Sequence, residues 1–325
     1  LRLDRIDLNS HVEWKTVPES EDYDRVRQDT LELQVNNNYT HLEARPQWRS
    51  VILRSAESKF IDIVAAWDHT ASDGKGERHV ASTKLYCTGL LHALALVSLA
   101  TRLPETKAQA FESGTPVCLR QFHRPGSYKL DVERTAFNCI TYWSYIFDQN
   151  VVAKVRKQVR NVKHKPESHM DLEATAWSAA QELRQGIFEN LNSGTKNDII
   201  GLVKLIRDWR SYLAGLSKNR THALEVSNLG VMEVKEGSEG EEAAERCGWE
   251  VDRAIFIQAA AISGPALTLS VVSVKGKALT MTCCWQVGVV EEDLARGFSE
   301  DIGTWLNSLG NTGTFDIGRG EKPSE

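Results

Sequence analysis

The sequence predicts an α/β protein with at least one large mixed β-sheet. Segments rich in β-branched and aromatic residues alternate, in mixed order, with segments whose apolar residues recur at helical spacing. The chain has 325 residues, of which 41% are hydrophobic, so it can bury a sizeable core. This length favours two domains of ordinary size over one large domain.

Charge and cysteine usage narrow the classes of function. Asp and Glu number 44 against 39 Lys and Arg, which gives a formal net charge of -5, so we expect no nucleic-acid partner. The six cysteines include no C-x-x-C pair, which favours reduced thiols in a cytoplasmic protein. The longest apolar helical run, 90–100, is too short to cross a bilayer, so we expect no transmembrane segment. Because Leu1 already lies in an alternating pattern, we expect the natural chain to begin earlier.

The N-terminal part is predicted to contain a β-hairpin followed by a helix. Residues 51–57 and 60–67 predict two strands, because β-branched and aromatic residues dominate both and a short polar break separates them. The second strand leads into His-Thr-Ala-Ser-Asp-Gly at 69–74, and helical spacing then predicts a helix over 80–96. Prolines, glycines and a loss of periodicity at 103–129 indicate a connecting segment, where we place a domain boundary.

The rest of the chain is predicted to contain helices first and then mainly strands. An aromatic strand over 139–147 precedes three helices, which cover 151–162, 168–188 and 199–216. Further strands are predicted over 223–226, 253–262, 265–274 and 279–287. A closing helix over 291–309 begins with acidic residues, which suit the positive end of its dipole.

His69 is the candidate general base. It follows a predicted strand and stands four residues before Asp73, which Gly74 follows. Imidazole exchanges a proton near neutral pH, and a hydroxyl must lose its proton as it attacks a thioester carbonyl. In a tight loop a carboxylate can fix the backbone by local hydrogen bonds, so we assign Asp73 a shaping role. The alternative is a chance motif with a structural histidine, but the position between a strand and a helix favours catalysis.

Other potential sites are not supported by the sequence. His164 and His169 flank Pro166 in a polar segment without a third ligand, so we expect no metal site. Residues 74–76, Gly-Lys-Gly, lack the spacing of a phosphate-binding loop. The adjacent cysteines at 283–284 lie on an apolar strand and are interpreted as buried filler.

Three separated blocks carry a resemblance to a known family. Pro-Gln-Trp-Arg at 46–49, which leads into His-Thr-Ala-Ser-Asp-Gly at 69–74, is similar to a P-x-W-R … H-x-x-x-D-G stretch. Ser-Asn-Leu-Gly at 227–230 is similar to an S-N-L-G block. The third block consists of 255–258, 263–266 and 279–285. The chain thereby resembles the alcohol O-acetyltransferases, relatives of chloramphenicol acetyltransferase, the plant BAHD acyltransferases and peptide-synthetase condensation domains.

The resemblance implies a fold and an activity. The fold would be two chloramphenicol acetyltransferase-like α/β domains with mixed sheets and an interdomain tunnel, divided here into 1–128 and 129–325. The activity would be acylation of a hydroxyl on a small hydrophobic alcohol, with acetyl-CoA or another acyl-CoA as co-substrate, no permanently bound cofactor and His69 as base. The implied substrate- and CoA-binding residues are Gly74, Ser227, Asn228, Gln258, Ser263 and Gly264. A donor among them would stabilise the tetrahedral intermediate, although Ser227 and Asn228 could equally close a turn.

The sequence also departs from the family pattern. A Pro-Val-Asp-Leu-Arg-like strand is expected between the mid-chain helix and S-N-L-G, but 188–197 contains none. A similar sequence, Thr-Pro-Val-Cys-Leu-Arg, lies much earlier, at 115–120. A D-F-G-W-G block is absent from the sequence, which disfavours the plant branch.

Two alternatives to an acyl-CoA enzyme remain. A condensation-type enzyme would take its acyl donor from a carrier protein, but Asp68 stands where that class usually has a second histidine, which favours free CoA. A non-catalytic binding member of the fold is disfavoured by the intact His69 and Asp73. We expect a cytoplasmic monomer.

Overall fold

The computed structural model describes residues 7–40, 47–56, 59–68, 82–122, 138–165, 168–196, 198–208, 211–212, 215, 220, 222–233, 249–260 and 263–317. The chain divides into two compact units, which are treated separately. The first unit consists of Leu1–Lys75, His123–Ile140 and Ile257–Ala259, and the second of Gly76–Phe122, Thr141–Phe256 and Ala260–Glu325. The predicted division into 1–128 and 129–325 stays a prediction.

The first unit contains a three-stranded mixed sheet. Its strands β1 (Val12–Val17), β2 (Trp48–Ser55) and β3 (Ile61–Trp67) lie in that order, with β1 parallel to β2 and β3 antiparallel to it. Helix α1 (Tyr23–Asn36) begins where the Asp22 carboxylate accepts hydrogen bonds from two backbone amides. The predicted strands that lead to His69 are confirmed, whereas the sequence did not predict β1 or α1.

The second unit contains a five-stranded mixed sheet in the order β5-β4-β6-β7-β8. The pairs β4–β6 and β6–β7 are parallel, and β7–β8 is antiparallel. Its strands are β4 (Phe111–Cys118), β5 (Ile140–Phe147), β6 (Leu224–Met232), β7 (Leu267–Val274) and β8 (Leu279–Trp285). The predicted α/β class with mixed sheets is therefore confirmed.

Helices cover one face of this sheet and enclose the main core. These helices are α2 (Ser82–Arg102), α3 (Gln149–His164), α4 (His169–Ser193) and α6 (Glu292–Thr312), whereas a short helix, α5 (Ile200–Val203), contributes no residue to this core. The largest fully buried apolar side chains of this core are Leu91, Leu94, Leu96, Leu172, Leu183, Leu224, Leu267, Phe298, Ile302 and Phe315. Burial of this apolar surface stabilises the second unit.

Helix α2 is longer and more buried than the sequence suggested. The predicted apolar run 90–100 is only part of a 21-residue helix, and its stretch Lys84–Arg102 is long and apolar enough to cross a membrane. However, 72% of that stretch is buried inside the protein, and the core helix of a globular protein passes the same test. At its C-terminal end, Arg102 Nε and Nη2 each donate to the Asp301 carboxylate at 2.7 Å, which ties α2 to α6.

Three sequence predictions of local structure are wrong. The supposed connection 103–129 contains β4, an interior strand of the sheet. Pro116 suggested a loop, but it lies beyond the β4 residues that pair with β6, so its missing N–H costs no bond there. The supposed strand 253–262 has no regular structure over 253–260. The supposed helix 199–216 is not continuous, because turns and irregular residues at 204–208 separate α5 from further helical residues at 211, 212 and 215.

Candidate functional site

The face of the five-stranded sheet opposite the helices is polar and buried. Successive side chains of a strand point to opposite faces. Leu224 and Val226 of β6 join the helix-covered core, so Glu225 and Ser227 lie on the other face, and both are buried. In β7, Thr268 and Ser270 alternate in the same way, and Ser270 is 0% exposed. Buried polar side chains are costly unless they are bonded, so this polar face is the candidate functional surface.

Strand register places Ser227 within a row of hydroxyl groups on this face. Ser227 pairs with Ser270 across the parallel β6–β7 ladder, and Ser270 pairs with Thr282 across the antiparallel β7–β8 ladder. Thr282 Oγ1 donates to the Phe256 carbonyl at 2.6 Å, so the segment before residue 257 lies against this row. The predicted residue Ser227 therefore lies in a row of three hydroxyl groups, each of which can donate or accept a hydrogen bond.

The Ser-Asn-Leu-Gly motif forms a bulge in β6. The β6–β7 register shifts between Asn228 and Val231, and Gly230 has a φ of 85°, a conformation that favours glycine. Asn228 Oδ1 accepts from the Gly230 backbone N–H at 2.8 Å, and Asn228 Nδ2 donates to Thr88 Oγ1 of α2 at 3.2 Å. Asn228 thus shapes the bulge, which agrees with the turn-forming alternative for this residue.

The Tyr142 side chain crosses β4 at Gly114, where there is no room for a larger residue. The Tyr142 ring of β5 lies over Gly114, and a Cβ at position 114 would meet the Tyr142 hydroxyl oxygen at 2.2 Å. Gly114 pairs with Glu225 of β6. Burial, and then the nearby Glu225 carboxylate, raise the pKa of the Tyr142 phenol, so this side chain stays neutral at physiological pH.

A histidine–glutamate pair adjoins Tyr142 at the start of β6. His222 Nε2 lies 3.2 Å from Glu112 Oε1, and the His222 ring contacts the Tyr142 ring edge-on with centroids 5.2 Å apart. These groups extend the polar face toward the end of the sheet where β4 and β6 begin.

The predicted residues Ser263 and Gly264 lie away from Ser227. They precede β7, whereas the Ser227 partner Ser270 is its fourth residue, and that part of the strand alone spans about 10 Å. Arg220 fixes this end of the sheet, because its guanidinium donates to the carbonyls of Gly264 at 3.1 Å and Pro265 at 2.7 Å. The same guanidinium donates to the side chain of Gln286. Ser263 is exposed and Gly264 is half-buried, whereas Ser227 is buried. The predicted residues Ser263 and Gly264 therefore do not cluster with Ser227 and Asn228.

The predicted base and its loop lie outside the described residues. His69, Asp73 and Gly74 belong to the stretch 69–81. The described flanks agree with the predicted strand before the loop and helix after it. Strand β3 ends at Trp67, the Asp68 backbone N–H donates to the Gln47 carbonyl at 3.0 Å, and α2 begins at Ser82.

Trp48 and Arg49 of the P-x-W-R block have structural contacts in the first unit. Arg49 donates to the carbonyls of Gln34 at 2.8 Å and Asn37 at 2.6 Å, so it satisfies the C-terminal end of α1. The Trp48 carbonyl lies 2.9 Å from His11 Nδ1. Gln258 is half-buried in the same unit and lies in a segment without regular secondary structure.

Metal binding has no support among the described residues. Within this part of the chain, no group of three or more His, Cys, Asp or Glu residues is arranged to hold an ion.

Sequence analysis missed Glu225, Thr268 and Ser270 as members of the polar face. A signal was present, because Leu-Thr-Leu-Ser at 267–270 alternates with the period of a strand. That alternation predicts a polar face but does not predict that the face is buried. Burial depends on packing that sequence periodicity does not reveal.

Comparison of the sequence with known proteins finds a relative. No protein-family model matches the chain. Over 236 residues, 72% of the chain, the sequence is 30% identical to the probable alcohol acetyltransferase FCK4 of Fusarium pseudograminearum (strain CS3096). The match covers 43% of that relative, so the chain spans less than half the length of the curated protein it matches. The resemblance to alcohol acetyltransferases that the motifs indicated is confirmed.

Two solved condensation domains align at low similarity. The first condensation domain of the CDA synthetase aligns with a TM-score of 0.49 and 11% identity, over 94% of this chain and 76% of that chain. The condensation domain from the Monacolin K polyketide synthase MokA aligns with a TM-score of 0.46 and 11% identity, over 93% of this chain and 79% of that chain. Both TM-scores lie below 0.5 and therefore support no conclusion about function.

Proposed function

We propose that the protein is an acyltransferase that moves an acyl group, most simply acetyl, from CoA to a hydroxyl of a small hydrophobic alcohol. The observation that carries this proposal is the 30% identity to a probable alcohol acetyltransferase over 236 residues. The H-x-x-x-D-G and S-N-L-G motifs and the buried polar face around Ser227 support it. Acyl-CoA is a co-substrate in this scheme, and the two chloramphenicol acetyltransferase-like domains with their tunnel belong to the same proposal.

The reaction needs one proton carrier and one acyl donor. His69 takes the proton of the acceptor hydroxyl as its oxygen attacks the thioester carbonyl, which forms a tetrahedral intermediate. The intermediate collapses as the carbon–sulfur bond breaks, and the CoA thiolate leaves with the proton that His69 returns. Asp73 and Gly74 shape the loop. A hydroxyl such as that of Ser227 donates to the oxyanion, while Asn228 holds the bulge beside it.

Substitution of His69 tests this proposal. Thiol release from acetyl-CoA is measured colorimetrically with a panel of small alcohols for the natural chain and for His69→Ala. Because a positioned general base contributes about 10²–10⁴-fold, we expect His69→Ala to lose that much turnover with an unchanged circular dichroism spectrum. His164→Ala, at an exposed histidine in the last turn of α3, is the matched control and keeps full activity.

Two results would contradict the proposal. Retention of more than about a tenth of the rate by His69→Ala would show that another group is the base. Absence of thiol release by the natural chain with every alcohol would refute acyl-CoA as donor, and a carrier-protein-bound acyl donor or a non-catalytic role would then be tested. Cytoplasmic location and a monomeric state stay predictions.

A further inference from the structure

The N-terminal part of α2 contacts the β6 bulge through two side chains one helical turn apart. Asn228 Nδ2 donates to Thr88 Oγ1 at 3.2 Å, and Thr88 Oγ1 donates to the Lys84 carbonyl at 2.8 Å. The Lys84 Cδ atom would lie 3.4 Å from a Cβ at position 230, so its side chain packs over Gly230. A chain of two hydrogen bonds therefore connects the bulge to the start of the helix.

The Asn228 side chain is held at both of its polar atoms. Its Oδ1 accepts from the Gly230 backbone N–H at 2.8 Å, while its Nδ2 is bound to Thr88. Thr88 is buried at 4% exposure, so water does not readily replace its hydroxyl as the partner of Nδ2. Loss of the Thr88 hydroxyl would leave an amide donor without this partner and would release the side chain that shapes the bulge.

We propose that Thr88 is a positioning residue for acyl transfer, an inference that rests on the proposed function. Ser227 is the proposed donor to the oxyanion, so its position affects the rate of acyl transfer. The bulge carries Asn228 next to Ser227. The Thr88 hydroxyl thus holds the Asn228 side chain and, through it, the shape of the Ser-Asn-Leu-Gly segment.

Threonine offers clean variants for this test. Thr88→Val keeps the shape and removes the hydroxyl, whereas Thr88→Ser keeps the hydroxyl and removes a methyl group. Thr101 provides a matched control on the same helix, because its Oγ1 makes the same type of bond, to the Val97 carbonyl at 2.7 Å, and it lies exposed near the other end of α2.

Steady-state kinetics with acetyl-CoA and a saturating alcohol provide the first measurement. A misplaced reacting group can cost up to about 10²-fold, so we expect Thr88→Val to lower kcat by about tenfold or more while KM changes less than about twofold. Thr88→Ser restores kcat to within about threefold of the natural value. Thr101→Val leaves both constants unchanged.

Hydrogen exchange by mass spectrometry provides a second measurement that does not depend on activity. Thr88→Val is expected to accelerate exchange in 82–90 and 228–232, whereas Thr88→Ser and Thr101→Val leave those segments as protected as in the natural chain. Circular dichroism melting checks that each variant is folded, and Thr88→Ala replaces Thr88→Val if the latter does not fold.

The outcomes separate this inference from the proposed function. Natural kcat in Thr88→Val, or equal impairment in Thr88→Val and Thr88→Ser, overturns the positioning role of the hydroxyl. An inactive natural chain refutes the proposed function, and the role of Thr88 in catalysis falls with it. Unchanged hydrogen exchange in Thr88→Val would show that the Thr88–Asn228 hydrogen bond does not hold the bulge, whatever the activity.

Discussion

Mild acid is expected to destabilise the second unit through one buried histidine. His92 of α2 is 0% exposed, its Nδ1 lies 2.6 Å from Ser113 Oγ of β4, and no group among the described residues is hydrogen-bonded to its Nε2. Burial lowers the pKa of His92 to about 3, because a charged imidazolium would lose its water without gaining a counterion. In the unfolded chain the pKa returns to about 6.5.

The sign of the effect follows from proton binding. Below pH 6.5 the unfolded chain binds a proton at His92 that the folded chain does not, so stability is complete above pH 6.5 and is lost as the pH falls toward 3. At pH 5 the unfolded imidazole is almost fully protonated and the folded one is almost fully neutral, which gives a loss of about 2 kcal/mol relative to pH 7.

Urea unfolding at pH 7 and pH 5 measures this loss. His92→Gln is the matched variant, because an amide can still hydrogen-bond Ser113 but does not titrate. Far-UV circular dichroism follows the transition, since most helices lie in the second unit. The natural chain is expected to lose about 2 kcal/mol more than His92→Gln between the two pH values. Equal losses in the two proteins, within about 0.5 kcal/mol, would show that the folded protein accommodates a charged His92.

Two further predictions concern stability. Gly114→Ala is expected to lower the free energy of unfolding by about 2 kcal/mol, because the new Cβ meets the Tyr142 hydroxyl. This loss should be smaller in a Tyr142→Ala background, and additive losses in the double variant, measured by urea unfolding, would contradict the contact. Asp301→Asn is expected to lower the free energy of unfolding by about 1 kcal/mol, because it removes the partly exposed ion pair with Arg102. Glu292→Gln, which removes a more exposed pair, should lower it by less than about 0.5 kcal/mol, and equal melting temperatures for the two variants would refute this difference.

Sequence periodicity predicted most elements of the second unit because burial there follows strand and helix repeats. The strand predicted over 265–274 matches β7, and the closing helix predicted over 291–309 matches α6. β4 was missed because Gly114 and Pro116 are typical of loops. Gly114 is explained only by the Tyr142 ring from another strand, a tertiary contact that local sequence does not encode.

The sequence predicted some residues of the candidate site but not how they are arranged in space. Ser227 was chosen from a short motif and lies on the buried polar face. Its neighbour Asn228 binds Thr88, which lies 140 positions earlier, so no local pattern could connect them. Ser263 was assigned to the same site from the resemblance, but its distance from Ser227 depends on where β7 begins.

The long separation of partners within the sheet has a consequence for biosynthesis. Thr115 of β4 bonds the Val226 carbonyl across 111 positions, and Ser98 of α2 bonds Asp301 across 203. At about 5–20 residues per second, a ribosome needs roughly 10–40 s to make the segment that pairs with Ser98. During that interval the side of α2 that packs against α6 has no native partner, so the nascent polypeptide exposes apolar surface to which chaperones bind.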